Sequence, residues 1–198
     1  VQITYELDEE DNKKKKIKDG SPHNPLNKLV SANWRKLEIF FKPDGTFTYI
    51  LGEDNHSTFY HNDKATPDSP EAFQEALDWA EVFVAHNSKF DVMWLLESGF
   101  KLPKQVFCTY ICEYVLARGT PQELSLEETA KRREVTHKKS DIIEEYWNND
   151  IGFEDMPLPI VQEYASADVL SCAEIYIDQL KDLAKEENKS LNNIVELM

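Results

Sequence analysis

The stretch EVFVAHNSKFDVMWLLESGF, residues 81–100, decides the architecture. Its first six residues form a short apolar strand. A polar turn follows, and from Ser88 the apolar spacing becomes helical, stopping near Gly99. Working towards the N-terminus, Phe73, Ala76, Leu77 and Ala80 form one helical stripe, with Pro70 in the first turn and Ser69 as its cap. Before it, residues 29–42 and 46–51 flank a Pro-Asp-Gly turn and read as a hairpin, with an edge strand near Thr58 to Tyr60. Residues 1–7 place Val1, Ile3, Tyr5 and Leu7 on one face at period two, a strand. Residues 9–28 are polar and turn-rich and read as a long loop.

Towards the C-terminus, helices are predicted over Thr109 to Ala117, Ser125 to Glu134 and Ser140 to Trp147, the last without a capping box. A long one runs from about Pro159 to Glu187, with Val169, Ala173, Tyr176, Ile177, Leu180 and Ala184 as its buried stripe. A hairpin, a crossover helix, a further strand and then mainly helices make an α/β fold with a mixed sheet. Residues 1–185 read as one domain. The tail 186–198, polar and then apolar, either docks on it or leads into a further domain.

Length and composition agree. The 198 residues suit one domain, and 41% hydrophobic content is enough for a core. Lys+Arg 22 against Asp+Glu 37 gives a net charge of −15, which excludes a generic basic nucleic-acid binder. It does not exclude a nuclease, whose acidic centre is neutralised locally by cations. No stretch approaches the ~18 apolar residues of a membrane span, and the N-terminus has no signal-like layout. Cys108, Cys112 and Cys172 are odd in number and fit no zinc pattern. They read as reduced core thiols of a cytoplasmic protein.

Acidic groups gather in three segments. Glu6 and Asp8 are two apart at the end of the first strand and share a face. Asp91 falls in the first turn of the helix after the 81–86 strand, where the helix dipole favours a carboxylate. Tyr164 and Asp168 are i, i+4 on the long helix, separated by the small residues Ala165, Ser166 and Ala167. Four acids from three elements suit two hard cations with oxygen ligands. Such a pair, ~3.5–4 Å apart, clamps the attacking and leaving oxygens of an in-line phosphoryl displacement. A tyrosine hydroxyl beside it could orient the attacking water.

These residues resemble a known family. VAHNSKFDVMWLL looks like the second motif of the DEDD superfamily of 3′–5′ exonucleases, with Asp91 as its acid. YASADVLSCAEIY looks like the third motif in its tyrosine form, Tyr-x3-Asp, with Tyr164 and Asp168. The KDGSPHNPLNKLVSANW segment is similar to the proofreading domains of phage-like family-A DNA polymerases. The resemblance spans Ile3 to about Leu183. It implies a ribonuclease-H-like mixed sheet flanked by helices and two bound Mg²⁺ or Mn²⁺ ions. It also implies a single-stranded DNA 3′ end as substrate, nucleoside monophosphates as product, and a DNA polymerase domain or subunit as partner, in a bacterial or phage-infected cell. In the implied roles Glu6, Asp8 and Asp168 hold the cation beside the attacking water, and Glu6 bridges to a second cation, to which Asp91 contributes through water. Tyr164 orients the nucleophile, and His86, Asn87 and Phe90 contact substrate.

One departure stands out. The family's first motif is Asp-x-Glu, whereas Glu6-Leu7-Asp8 exchanges the acid types. The register Asp8-Glu9-Glu10 restores the order but would put Glu6 and Glu9 at buried flanking positions, which is costly. The first register is preferred. The exchange supports an alternative: a catalytically impaired module that binds DNA ends or supports a polymerase. A third option is a ribonuclease of the same superfamily. Elsewhere the bland readings hold. The run Lys13–Lys16 is a solvated loop, and Cys108 with Cys112 is core packing rather than half a metal site. Asn87 caps its helix, and His86 is a hydrogen-bonding turn residue rather than a metal ligand.

Overall fold

The computed structural model describes residues 3–7, 13–17, 21–136 and 141–191. The Pro-Asp-Gly turn forms as expected. Asp44 Oδ1 accepts from Thr46 N at 2.9 Å and from Thr46 Oγ1 at 2.7 Å. Gly45 takes φ +82°, a left-handed conformation that glycine adopts without strain.

The strands on either side are broken rather than continuous. β3 (Ser31–Trp34) pairs with β6 (Asn55–Thr58), and β4 (Leu37–Phe41) pairs with β5 (Phe47–Leu51). Together they form one long hairpin with a bend at residues 35–36 and 52–54. There the Gly52 amide donates to the Lys36 carbonyl at 2.8 Å, and Arg35 Nη1 donates to the Gly52 carbonyl at 3.2 Å. A Cβ on Gly52 would lie 3.1 Å from the Lys36 oxygen, so a larger residue would require that carbonyl to give by a few tenths of an ångström.

The reading of residues 9–28 as loop is corrected in part. Lys13–Ile17 is strand β2, antiparallel to β1 (Ile3–Leu7), with Glu6 opposite Lys14. A lysine run has no apolar alternation to read, so only its pairing with β1 reveals the strand. A second strand was missed. β8 (Gln105–Cys108) runs parallel to β7 (Val82–Ala85), with Ala85 opposite Cys108. Four residues leading straight into a helix leave no turn signal to mark it. The strands thus hydrogen-bond as four pairs, antiparallel first and parallel last.

Among the described residues six α-helices cover them: α1 (Glu71–Trp79), α2 (Ser88–Glu97), α3 (Thr109–Leu116), α4 (Leu126–Arg132), α5 (Asp141–Asn148) and α6 (Leu158–Leu183). Ser125 caps α4, its hydroxyl accepting from Glu128 N at 3.3 Å. Pro70 itself occupies the N-cap position of α1, one residue later than expected. One core joins Phe73 and Leu77 of α1 to Leu95 and Phe100, with Trp34 and Phe59 packed on it. Its rings meet at 4.9 Å (Trp34–Phe73) and 5.2 Å (Phe73–Phe100), a spacing that adds directional contact to area burial. Among the described residues no helix is long and apolar enough to cross a membrane.

α6 departs from its predicted stripe. It packs against β3 and β7 on one side and α3 and α4 on another. Of the expected stripe only Ile177 is fully buried, and Ala184 is exposed. The deepest positions are Val161, Ser171, Ile175, Ile177, Gln179 and Leu183. Polar residues can sit there because each finds a partner. Ser171 Oγ donates to the Thr136 carbonyl at 2.6 Å, and Gln179 Nε2 donates to the Thr109 carbonyl at 2.8 Å. A helix covered from several sides has no single apolar face for periodicity to find. Past its end Leu191 packs with Leu183 and Cys112, so the start of the tail docks.

Candidate active site

β7 carries the chain to His86, and Asn87 then turns it into α2. Asn87 takes φ +58°, the left-handed region, where asparagine is among the few residues tolerated. It stands at the N-cap position, but its side chain makes no capping bond, so the expected cap does not form. Asp91 follows in the first turn of α2. Burial pushes its carboxyl up from 3.8 to about 6, and the like charge of Asp168 pushes the same way. The two acids, from α2 and from the middle of α6, therefore share one electrostatic environment. Cys172, one turn beyond Asp168, feels both: burial above all, then the charges of Asp91 and Asp168, hold its thiol at about 12.

Tyr164, one turn before Asp168, is half-buried. Its ring lies 6.4 Å from Trp147 and 5.9 Å from Phe153, in a cluster with Ile143, Met156 and Val161. These contacts fix the ring independently of any substrate. Phe90 is half-buried and meets Trp94 edge-on at 6.5 Å, while Asn87 is exposed. His86 is differently placed. Its Nε2 lies 2.8 Å from the Leu124 carbonyl oxygen and its Nδ1 lies 2.9 Å from Thr109 Oγ1. Burial lowers its pKa, which keeps it neutral. Both ring nitrogens are engaged within the protein, so the substrate contact expected of His86 has no ring nitrogen left to make it. Its role as a hydrogen-bonding turn residue holds.

The first acidic segment falls only partly within the described residues. Glu6 lies in β1, which pairs with β2 and has α5 as a neighbouring helix. Asp8 lies outside the described residues. Among the described residues, no three His, Cys, Asp or Glu side chains converge as a cation site. What the fold assembles is the pair Asp91–Asp168, an all-oxygen set with a raised carboxyl pKa. That is the chemistry a hard divalent cation relieves, so the pair fits such an ion.

A second polar centre was missed from the sequence. Arg133, 8% exposed at the side chain, donates from Nε to Glu113 Oε2 at 2.7 Å. From Nη1 it donates to Asp178 Oδ2 at 2.6 Å and Asp182 Oδ2 at 2.9 Å. Gln179 Nε2 adds a bond to Glu113 Oε2 at 3.0 Å. The network ties α3 and the end of α4 to α6. Burial works against the Arg133 charge, but the surrounding carboxylates more than offset it and raise its pKa. The only sequence signal was acids at i, i+4 on α6, Asp178 and Asp182, which read equally well as a solvated face.

Strand, turn and acid-bearing helix, set beside a helix carrying Tyr-x3-Asp, make this a ribonuclease-H-like α/β protein with a paired carboxylate centre. A family model described as 3′–5′ exonuclease matches residues 51–184. The chain belongs to that family, the exonuclease domain of family-A DNA polymerase type. The match includes Asp91, Tyr164 and Asp168, while Glu6 and Asp8 precede it. No curated protein matches the chain.

Proposed function

We propose that this domain hydrolyses phosphodiester bonds at single-stranded DNA 3′ ends with two divalent cations, Mg²⁺ or Mn²⁺, releasing nucleoside monophosphates in a proofreading role. One observation carries the reading: the 3′–5′ exonuclease family match over residues 51–184 spans both the Asp91 turn and the Tyr164–Asp168 helix, and the raised Asp91 carboxyl, to which the Asp168 charge contributes after burial, agrees with it. Asp91 and Asp168 would hold the cations, with Glu6 and Asp8 completing the ligand set. When bound, such a pair activates water and stabilises charge on the scissile phosphate. The chain's own part is placement. Tyr164, its ring clamped by Trp147 and Phe153, would direct its hydroxyl at the attacking water, and Phe90 and Asn87 at the mouth of the turn would meet the terminal nucleotide. A DNA polymerase domain or subunit is the partner this role implies.

The test is degradation of a 3′-labelled single-stranded DNA oligomer, with a matched RNA beside it. Cleavage is expected with Mg²⁺ or Mn²⁺, and none with chelator. Asp168→Ala is expected to cost more than the ~100-fold that loss of an outer-shell partner costs a metal site. Tyr164→Phe keeps the ring packing and removes the hydroxyl, so the rate is expected to fall about 100-fold while the variant still folds. A protein that binds DNA ends but cleaves under neither metal supports the second reading, an impaired end-binding module, which the exchanged Glu6/Asp8 order favours.

A further inference from the structure

Thr109 opens α3 directly after β8 and is fully buried. Its hydroxyl is a junction between three elements. It lies 2.9 Å from Nδ1 of His86, the last residue before the turn into α2. It lies 3.9 Å from Sγ of Cys172, one helical turn beyond Asp168 on α6.

The proton positions follow from chemistry. His86 Nε2 is 2.8 Å from the Leu124 carbonyl oxygen, which can only accept, so Nε2 carries the ring proton. Nδ1 of the neutral ring is then an acceptor and takes the Thr109 hydroxyl proton. The Ala85 carbonyl, at 3.5 Å from the hydroxyl, is the weaker claimant. The Cys172 thiol donates to Thr109 Oγ1 in turn. A directed chain thus runs from Cys172 through Thr109 and His86 to Leu124. It joins the turn of α6 that follows Asp168 to the residue that precedes the Asp91 turn.

That turn needs holding. Asn87, adjacent to His86, sits at φ +58°, a conformation asparagine tolerates better than most residues but that still has to be held in one place for Asp91 to be aimed. His86, bonded at both nitrogens and packed edge-on against Tyr110 at 5.7 Å, is the anchor on one side of it.

We propose that Thr109 is a positioning residue: its hydroxyl sets the spacing of Asp91 and Asp168 by bonding at once to the residue that anchors the α2 turn and to the α6 turn after Asp168. The proposal rests on the reading of Asp91 and Asp168 as cation ligands. Loss of an outer-shell partner of this kind costs on the order of 10–100-fold in metal affinity.

The test is calorimetric titration of the full chain with Mn²⁺ alone, beside unfolding midpoints and cleavage rates. Thr109→Val keeps the shape and removes the hydroxyl. It is expected to weaken Mn²⁺ binding about 10-fold or more, while Thr109→Ser, which restores the hydroxyl, binds as the wild type does. His86→Gln is expected to weaken binding in the same sense. The double variant His86→Gln/Thr109→Val is expected to be no weaker than the worse single one, because both break one chain. Should Thr109→Val fail to fold, His86→Gln and Thr109→Ser decide the matter. Wild-type Mn²⁺ affinity in Thr109→Val, or in His86→Gln where that variant decides, overturns the proposal, whatever the unfolding midpoint does. A wild-type chain that binds Mn²⁺ but cleaves nothing sinks the nuclease reading and leaves this test standing. A wild-type chain that binds no Mn²⁺ overturns both.

Discussion

Asp91→Asn is expected to make the metal-free protein more stable while abolishing metal-dependent cleavage. Burial, and then the like charge of Asp168, raise the Asp91 carboxyl from 3.8 to about 6. Between those values the folded chain keeps a proton that the unfolded chain has lost, so stability falls as pH rises through the interval. A displacement of about two pH units corresponds to roughly 3 kcal/mol, present in full above about pH 6 and absent below about pH 4. Asparagine keeps the shape and removes the charge. In chelator, denaturant unfolding should show the variant roughly 2–3 kcal/mol more stable near pH 7, with the two curves merging near pH 4. A variant no more stable than the wild type at neutral pH would show that the buried Asp91 charge does not strain the fold. The trade is physically direct: a carboxylate charge held out of water, with a second acid adding to it, destabilises the empty fold, and the same buried charge suits a divalent ion.

Arg133→Ala is expected to cost about 3–5 kcal/mol, the largest loss of any single replacement considered. The guanidinium bonds to Glu113, Asp178 and Asp182, and Glu113 is 5% exposed at the side chain. Removing Arg133 leaves the Glu113 carboxylate buried with Arg132 at 3.3 Å and Gln179 as its remaining donors. Adding Glu113→Gln to Arg133→Ala should recover part of the loss, since the stranded charge goes with it. The pH profile should change as well. Burial opposes it, but bonds from Lys185 and Arg133 hold the Asp182 carboxyl below the usual range. A depressed carboxyl stabilises the fold above its ordinary range, and that contribution fades as pH falls. Without Arg133 this acid-side loss should be shallower. Urea titrations of the single and double variants across pH would check both points, and a double variant less stable than Arg133→Ala alone would refute the stranded-charge account.

Much of this protein is written locally. The 81–100 stretch shows its strand, turn and helix because apolar spacing changes from strand to helix within a few residues. Tyr164 and Asp168 show themselves as one face of a helix by spacing alone. The Pro-Asp-Gly turn declares its hairpin, although the bend at Arg35 and Gly52 does not show. β2 and β8 stayed hidden for a related reason: a lysine run and a four-residue segment ahead of a helix become strands only through the partner they pair with.

The candidate site was half legible on the same grounds. Asp91, Tyr164 and Asp168 were chosen from spacing, and the sequence alone determined that each lies on a helix at a position where a carboxylate or hydroxyl is useful. Only the tertiary structure decided that Asp91 and Asp168 share one environment and that His86 turns inward to Thr109 and Leu124. It alone decided too that the deepest face of α6 is partly polar and that Arg133 gathers acids from two other helices. Periodicity reports which side of one element avoids water. Desolvation, like-charge repulsion and hydrogen bonds between distant elements arise only when the chain closes on itself, so no local pattern encodes them.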